Sequence, residues 1–222
     1  LEKLNITKRT KVKRLPKRAS YERNEIYKIL DDSFICHIGF KIDGQVNVIP
    51  TLYGRKDDMI LIHGSNKSRM LKSFASSEDI CISVTIIDGI VLARSAFHHS
   101  VNYRSVVLFG KPIEVLGNDE KAKSLEAIME HIIPGRWNEA RKPYEKELSI
   151  TSVFSFKINE ASAKFREGGP VDEKEDLELD IWAGILPIKS AFKEPLKDII
   201  LKKSINIPGY IGNYLDRKNK NN

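Results

Sequence analysis

Hydrophobic residues recur along this chain with two different periods. Tyr21, Ile26, Ile29 and Leu30 share one face of a helical repeat, with Ser20 placed to cap it. From Phe34 the period shortens to two. Residues 34–40 alternate as a strand, Asp43-Gly44 is a two-residue hairpin signal, and residues 46–53 form the partner strand. Pro50 cannot donate to a ladder, so that partner is expected at an edge or a bulge. A third strand is expected over Met59–His63, a fourth over Ile80–Ile87, and a turn at Asp88-Gly89 leads into Ile90–Ala93. A long strand is expected from Tyr103 to Val115. A helix capped by Asn118 then carries Ala122, Leu125, Ile128, Met129 and Ile132 as far as Pro134-Gly135. Residues 153–158 and 161–165 read as a last strand pair.

Six or seven short strands, joined mainly by hairpins and interrupted by two or three helices, predict a mainly β, α+β chain built as an antiparallel barrel. Alternating βαβ crossovers are absent, which disfavours a doubly wound sheet. A length of 222 residues and a hydrophobic content of 41% suit one core. No apolar run reaches the ~20 residues of a bilayer span, and the basic N-terminus lacks the apolar stretch of a secretory signal. Cys36 and Cys81 are too few for a disulfide framework or a four-thiolate site. A cytoplasmic, reduced setting is the expectation.

Charge sharpens the layout. The first 18 residues carry eight basic side chains against one acid, whereas the remaining 204 balance at 29 of each sign. The net +7 therefore belongs to an arm, residues 1–19, ahead of a domain over 20–190 and an extension with a polar, basic and frayed tail over 191–222. Such an arm could hold nucleic acid or anionic lipid through phosphate contacts, or could be a solubilising or subunit-wrapping extension. It has no interleaved aromatics for stacking on bases, so nucleic-acid binding is disfavoured.

Chemistry concentrates in two segments. His63-Gly64-Ser65-Asn66-Lys67-Ser68-Arg69 joins a strand to a helix start, where freed amides favour an anion. Arg69 suits a bidentate grip on phosphate, Lys67 a point charge, and Ser65 and Ser68 hydroxyl donation. The competing reading is an ordinary capped helix with a solvated basic face. The second segment, residues 94–105, contains His98-His99. Neighbours on a strand point to opposite faces, so no metal site is expected there. P-loop, G-x-G-x-x-G and G-x-S-x-G motifs are absent.

The same segments carry a resemblance. Gly39-Phe40 with Asp43-Gly44-Gln45, residues 48–55, His63-Gly64-Ser65 with Ser68-Arg69, residues 88–95, His98-His99-Ser100, residues 102–107 with Phe109-Gly110, Ser162-Ala163-Lys164 and Trp182-Ala183-Gly184 follow one another as in a known family. The sequence resembles the pyridoxamine 5′-phosphate oxidase-like FMN-binding split barrels, in the branch related to nitroimidazole-resistance flavoproteins. The resemblance implies a six-stranded antiparallel split β-barrel with peripheral helices, a homodimer, and FMN in a groove between subunits. It places the FMN phosphate at Ser65, Lys67, Ser68 and Arg69, and the flavin ring beside Val48, Pro50, Thr51 and Tyr53. Tyr103, Arg104 and Ser105 would approach the flavin or its phosphate. Trp182 would either cover a site or pack in the core.

Because the flavin would supply the redox chemistry, no protein acid or base is obligatory. Should a proton be needed, His63 is the first candidate, ahead of His98 and His99. The C-terminal signature of vitamin B6-oxidising members is missing after Trp182. The expected function is that of an FMN-dependent oxidoreductase acting on a small molecule that these residues do not identify. The alternative is a non-catalytic flavin- or haem-binding sensor or storage protein.

Overall fold

The computed structural model describes residues 2–75 and 79–221. The chain forms β1 (Ala19–Ser20), α1 (Arg23–Asp31), β2 (Ile35–Ile42), β3 (Gln45–Leu52), β4 (Gly54–Lys56), β5 (Met59–Ser65) and α2 (Arg69–Phe74). Next come β6 (Ile80–Leu92), β7 (Ser100–Gly110) and β8 (Ile113–Glu114), then helices α3 (Asn118–Ile132), α4 (Arg136–Glu139) and α5 (Glu145–Ser149). β9 (Thr151–Lys157), β10 (Glu160–Arg166), β11 (Gly184–Pro187) and α6 (Gly209–Asn221) complete the order.

Two antiparallel sheets result, giving the mainly β, α+β class that the alternation predicts. One runs β1-β10-β7-β6-β2-β3 with β11 added beside β6, and the other runs β4-β5-β9-β8. No strand pairing joins them among the described residues, so the barrel is split. Period-two alternation sends Cys36, Ile38 and Phe40 of β2, Ile82 and Val84 of β6, and Val106 and Leu108 of β7 inward. Ile60 and Ile62 of β5 meet them with Phe154 and Phe156 of β9. Phe74 of α2 closes this core, its ring edge-on to Phe40, Phe154 and Phe156. Burying one such ring contributes roughly 2–3 kcal/mol, so α2 is held by its apolar face although it is only six residues long.

Several boundaries differ from the sequence reading. Ser20 does not cap α1; it pairs with Ala163 in the sheet, and its hydroxyl accepts from the Glu22 amide. Asp88-Gly89 is not a turn, because β6 continues through it with a bulge. β11 lies so close that a Cβ on Gly89 would meet the Leu186 carbonyl at 3.0 Å, which is why glycine fits there. The strand expected from Tyr103 to Val115 breaks after Gly110, and its remainder, β8, joins the other sheet against β9. Asn118 is the first helical residue of α3, entered from Gly117 at φ 81°. Asp43-Gly44 does form the expected hairpin turn, with φ of 51° and 77°.

The described residues near both ends are tied to the body. Leu4 and Thr10 are buried, and Arg9 is ion-paired to Glu160 and Asp79. The C-terminal tail, expected to fray, is helix α6, which buries Tyr214 against Phe192 and brings the Lys218 ammonium to the Asp31 carbonyl. No helix among the described residues is long and apolar enough to cross a membrane.

Candidate functional site

β5 delivers the segment that the sequence marks for anion binding. After Ser65 the chain turns tightly: the Ser68 amide donates to the Ser65 carbonyl at 2.9 Å, and the Lys67 amide donates to Ser65 Oγ at 3.2 Å. Ser68 Oγ caps α2 by accepting from the Leu71 amide at 3.4 Å. Asn66 is pinned through its amide to the Ile150 carbonyl at 2.9 Å. Both serine oxygens act as acceptors in these bonds, so both hydroxyl protons remain free to donate outward. Lys67 and Arg69 are exposed, and neither makes an ion pair or side-chain hydrogen bond to a described residue. The loop is tied by its own hydrogen bonds, while its cations have no ion-pair partner among the described residues.

β3 lies against β5 and forms the last strand of its sheet, so one side of its backbone is unpaired by any strand. Val48 and Pro50 are exposed and Thr51 is half-buried. Tyr53 stands apart from them as a core residue. It is fully buried, its hydroxyl donates to the Leu30 carbonyl at 2.6 Å, and its amide donates to the Phe34 carbonyl at 3.0 Å. Burial raises its phenol far above the ordinary value. Its side chain therefore offers nothing to a ligand on β3.

His63 is half-buried on β5, opposite Val153, with Nδ1 buried and without a partner. Burial lowers its pKa, so the ring is neutral at neutral pH and is a proton acceptor there. Cys36 is sealed in the core with its thiol pushed up to about 12 by burial, which removes it as a nucleophile.

Tyr103, Arg104 and Ser105 lie on β7, in the other sheet from the Ser65–Arg69 loop. Arg104 is already engaged. Its guanidinium grips Asp88 through Nε and Nη2 at 3.0–3.2 Å and Asp32 through Nη1 at 2.6 Å. Ser105 donates to the Lys164 carbonyl at 3.4 Å. Arg104 lines a cavity of about 950 Å³ together with Ile86, Ile87, Asn102, residues 188–192 and Tyr214. Two carboxylates already compensate the charge that the resemblance brings near the flavin or its phosphate. Nothing local flags this, because Asp32 and Asp88 come from α1's end and from β6. Trp182 is 65% exposed, its indole resting where a side chain on Gly184 would stand. Core packing within the chain is therefore not its role.

The sequence also gave no sign of Arg166, which is only 5% exposed and meets Asn102 and the carbonyls of Gly168 and Gly169 without any carboxylate. It clamps the start of an acidic segment, residues 168–179. Arg94 holds that segment further on through Asp172 at 3.0 Å.

With this geometry in view, comparison with known proteins is informative. The family model described as pyridoxamine 5′-phosphate oxidase matches residues 22–165. The chain belongs to this family. The matched stretch runs from the start of α1 to β10 and so includes both β3 and the β5–α2 loop. Among solved structures, the flavocytochrome Anf3 from Azotobacter vinelandii is similar over 93% of this chain and 96% of that one, with 35% identity and a TM-score of 0.89. The FAD and heme binding protein from Mycobacterium smegmatis shares 32% identity over 88% of this chain and 96% of its own, with a TM-score of 0.85. A Bacteroides thetaiotaomicron protein named for 5-nitroimidazole antibiotic resistance shares the fold at 18% identity and a TM-score of 0.55, over 66% of this chain and 85% of that one. No curated protein is a significant match.

Proposed function

We propose that this family member is a flavin-dependent oxidoreductase whose flavin phosphate is held by Ser65, Lys67, Ser68 and Arg69. The observation that carries the reading is the pair of unpaired cations on a loop fixed by its own hydrogen bonds. A cradle of this kind costs little reorganisation when an anion arrives. The loop's chemistry fits the group: two free hydroxyl protons, an ammonium and a guanidinium match a phosphate. Val48, Pro50 and Thr51, on an open strand edge, are the residues we assign to the flavin ring. The bound flavin supplies one- and two-electron chemistry, while the chain orients it and screens it from water. His63 takes up a proton in this scheme, in keeping with its neutral ring.

FMN, the flavin that the resemblance implies, and FAD both present a ribityl phosphate to such a cradle. The 32%-identical FAD and heme binding relative favours FAD. We further propose a homodimer with the flavin at the subunit interface, where the partner's Tyr103 and the partner's Trp182 complete the site, and a cytoplasmic setting.

Haem beside the flavin is the second reading. The flavocytochrome and the FAD and heme binding protein, at 35% and 32% identity, favour it. The donor set fits, because imidazole is a common axial ligand and His37 and His63 have no hydrogen-bond partner among the described residues. The test is an absorbance spectrum of the purified protein titrated in turn with FMN, FAD and haemin. Flavin bands at 350–500 nm with saturable binding are expected, tighter for FAD. Absence of saturable flavin binding overturns the proposal, and a Soret band that never forms overturns the second reading.

A further inference from the structure

We propose that the basic face formed by residues 8–18 docks a small acidic electron-carrier protein that reduces the flavin; this deepens the flavin reading by naming its partner. Lys8, Lys11, Lys13, Arg14, Lys17 and Arg18 make no ion pair among the described residues. All are exposed except the half-buried Arg18. They are displayed on a fixed loop rather than a loose tail. Thr10, 2% exposed, anchors it through a hydrogen bond from the Thr7 amide to its hydroxyl at 2.9 Å. The Tyr21 hydroxyl accepts from the Val12 amide at 2.9 Å and donates to the Thr10 carbonyl at 3.2 Å. Arg9 differs from these cations in being engaged, paired to Glu160 and Asp79 and stacked 4.7 Å over the Phe109 ring. One arginine thus secures the segment and six cations are left for a partner.

The position suits electron delivery. Asp79, which holds Arg9, lies shortly after α2, the helix that begins at Arg69 of the phosphate cradle. Lys17 and Arg18 also line a groove of about 570 Å³ that includes Lys28, Arg104 and Glu167, three residues shared with the large cavity. The rest of the chain is electroneutral, so the field of this face is local and directional.

Charge complementarity selects an acidic partner. The segment contains no aromatic residue to stack on bases and no amphipathic helix to enter a bilayer, which disfavours nucleic acid and membrane. A flavin oxidoreductase needs an electron source, and a reduced acidic carrier provides one. In two encounters the carrier gives up one electron each time and is oxidised accordingly. The bound flavin takes the two electrons, together with two protons from solvent, to become the dihydroflavin.

The probes are an acidic flavodoxin and an acidic [2Fe–2S] ferredoxin. Calorimetric titration of either oxidised carrier onto the protein needs no flavin in this chain, so docking is tested even if the flavin reading fails. Docking of at least one carrier at 20 mM salt, weakened at least tenfold at 300 mM, is expected. The quadruple variant Lys11→Gln, Lys13→Gln, Arg14→Gln and Lys17→Gln should weaken docking at least tenfold. It should slow flavin reduction by the reduced carrier by a similar factor and leave photoreduction by the neutral 5-deazariboflavin radical unchanged. The salt series on the native protein stands even if the variant misfolds. Docking of neither carrier, salt-independent docking, or capture of duplex DNA or phosphatidylserine vesicles in place of both carriers would overturn the proposal.

Discussion

Arg69 stands at the start of α2 with no ion-pair partner among the described residues, whereas Arg104 on β7 is clamped between Asp88 and Asp32. Both lie in segments that carry the family resemblance, which places Arg69 at the flavin phosphate and Arg104 near the flavin or its phosphate. The fold separates them by compensation. A guanidinium already holding two carboxylates would have to surrender charge-assisted bonds to accept a phosphate, so its net gain is small. One facing water gives up only solvent. The residue type sets what a cation can bind, and its neighbours decide whether it is free to do so.

Swapping losses between the two sites is the strongest way to break this contrast. The double variant Lys67→Ala and Arg69→Ala should weaken FMN and FAD by about 3–4 kcal/mol, from two lost charge-assisted contacts, while riboflavin binding and unfolding of the ligand-free protein stay nearly unchanged. Arg104→Ala should do the reverse. It leaves two carboxylates facing each other at a partly exposed site, so urea unfolding should show a loss of about 2 kcal/mol, with flavin affinity within threefold of the native value. Equal flavin losses in the two variants would erase the distinction.

Tyr53 sharpens the same comparison on the apolar side. Tyr53→Phe removes the bond to the Leu30 carbonyl and should cost about 1–2 kcal/mol of stability with flavin affinity intact. A selective loss of flavin affinity instead would return Tyr53 to the site.

The smallest effect is a pH dependence. Burial lowers the pKa of His63 and His131 below their unfolded values. The unfolded chain then binds more protons below about pH 6.5, so stability should be fully present above that pH and fall as pH drops through the depressed folded values. His131→Gln should flatten the fall in a urea series from pH 7.5 to 5, because Gln can still donate to the Ser33 carbonyl that the His131 ring meets at 2.9 Å.

Much of the architecture is legible in local pattern. Alternation marks β2, β5 and β6, the Asp43-Gly44 pair marks its hairpin, and Met70, Leu71 and Phe74 mark the buried face of α2. These follow from period and turn chemistry, which act within a few residues. The continuation of β6 through Asp88-Gly89 was illegible because a bulge against β7 absorbs the turn signal and β11, nearly a hundred residues later, pairs the other side. The ordered arm was illegible for a similar reason, since its anchors are Tyr21, Glu160 and Asp79.

The sequence alone determined the fold class, the family likeness and the loop whose serines and cations suit a phosphate, because each is written in short-range spacing and residue type. Tertiary structure decided which of those groups are available. It buried Tyr53, neutralised Arg104, left Arg69 and Lys67 open and turned a charged tail into a fixed face. Charge compensation and burial depend on residues brought together from distant parts of the chain, and no local pattern encodes them.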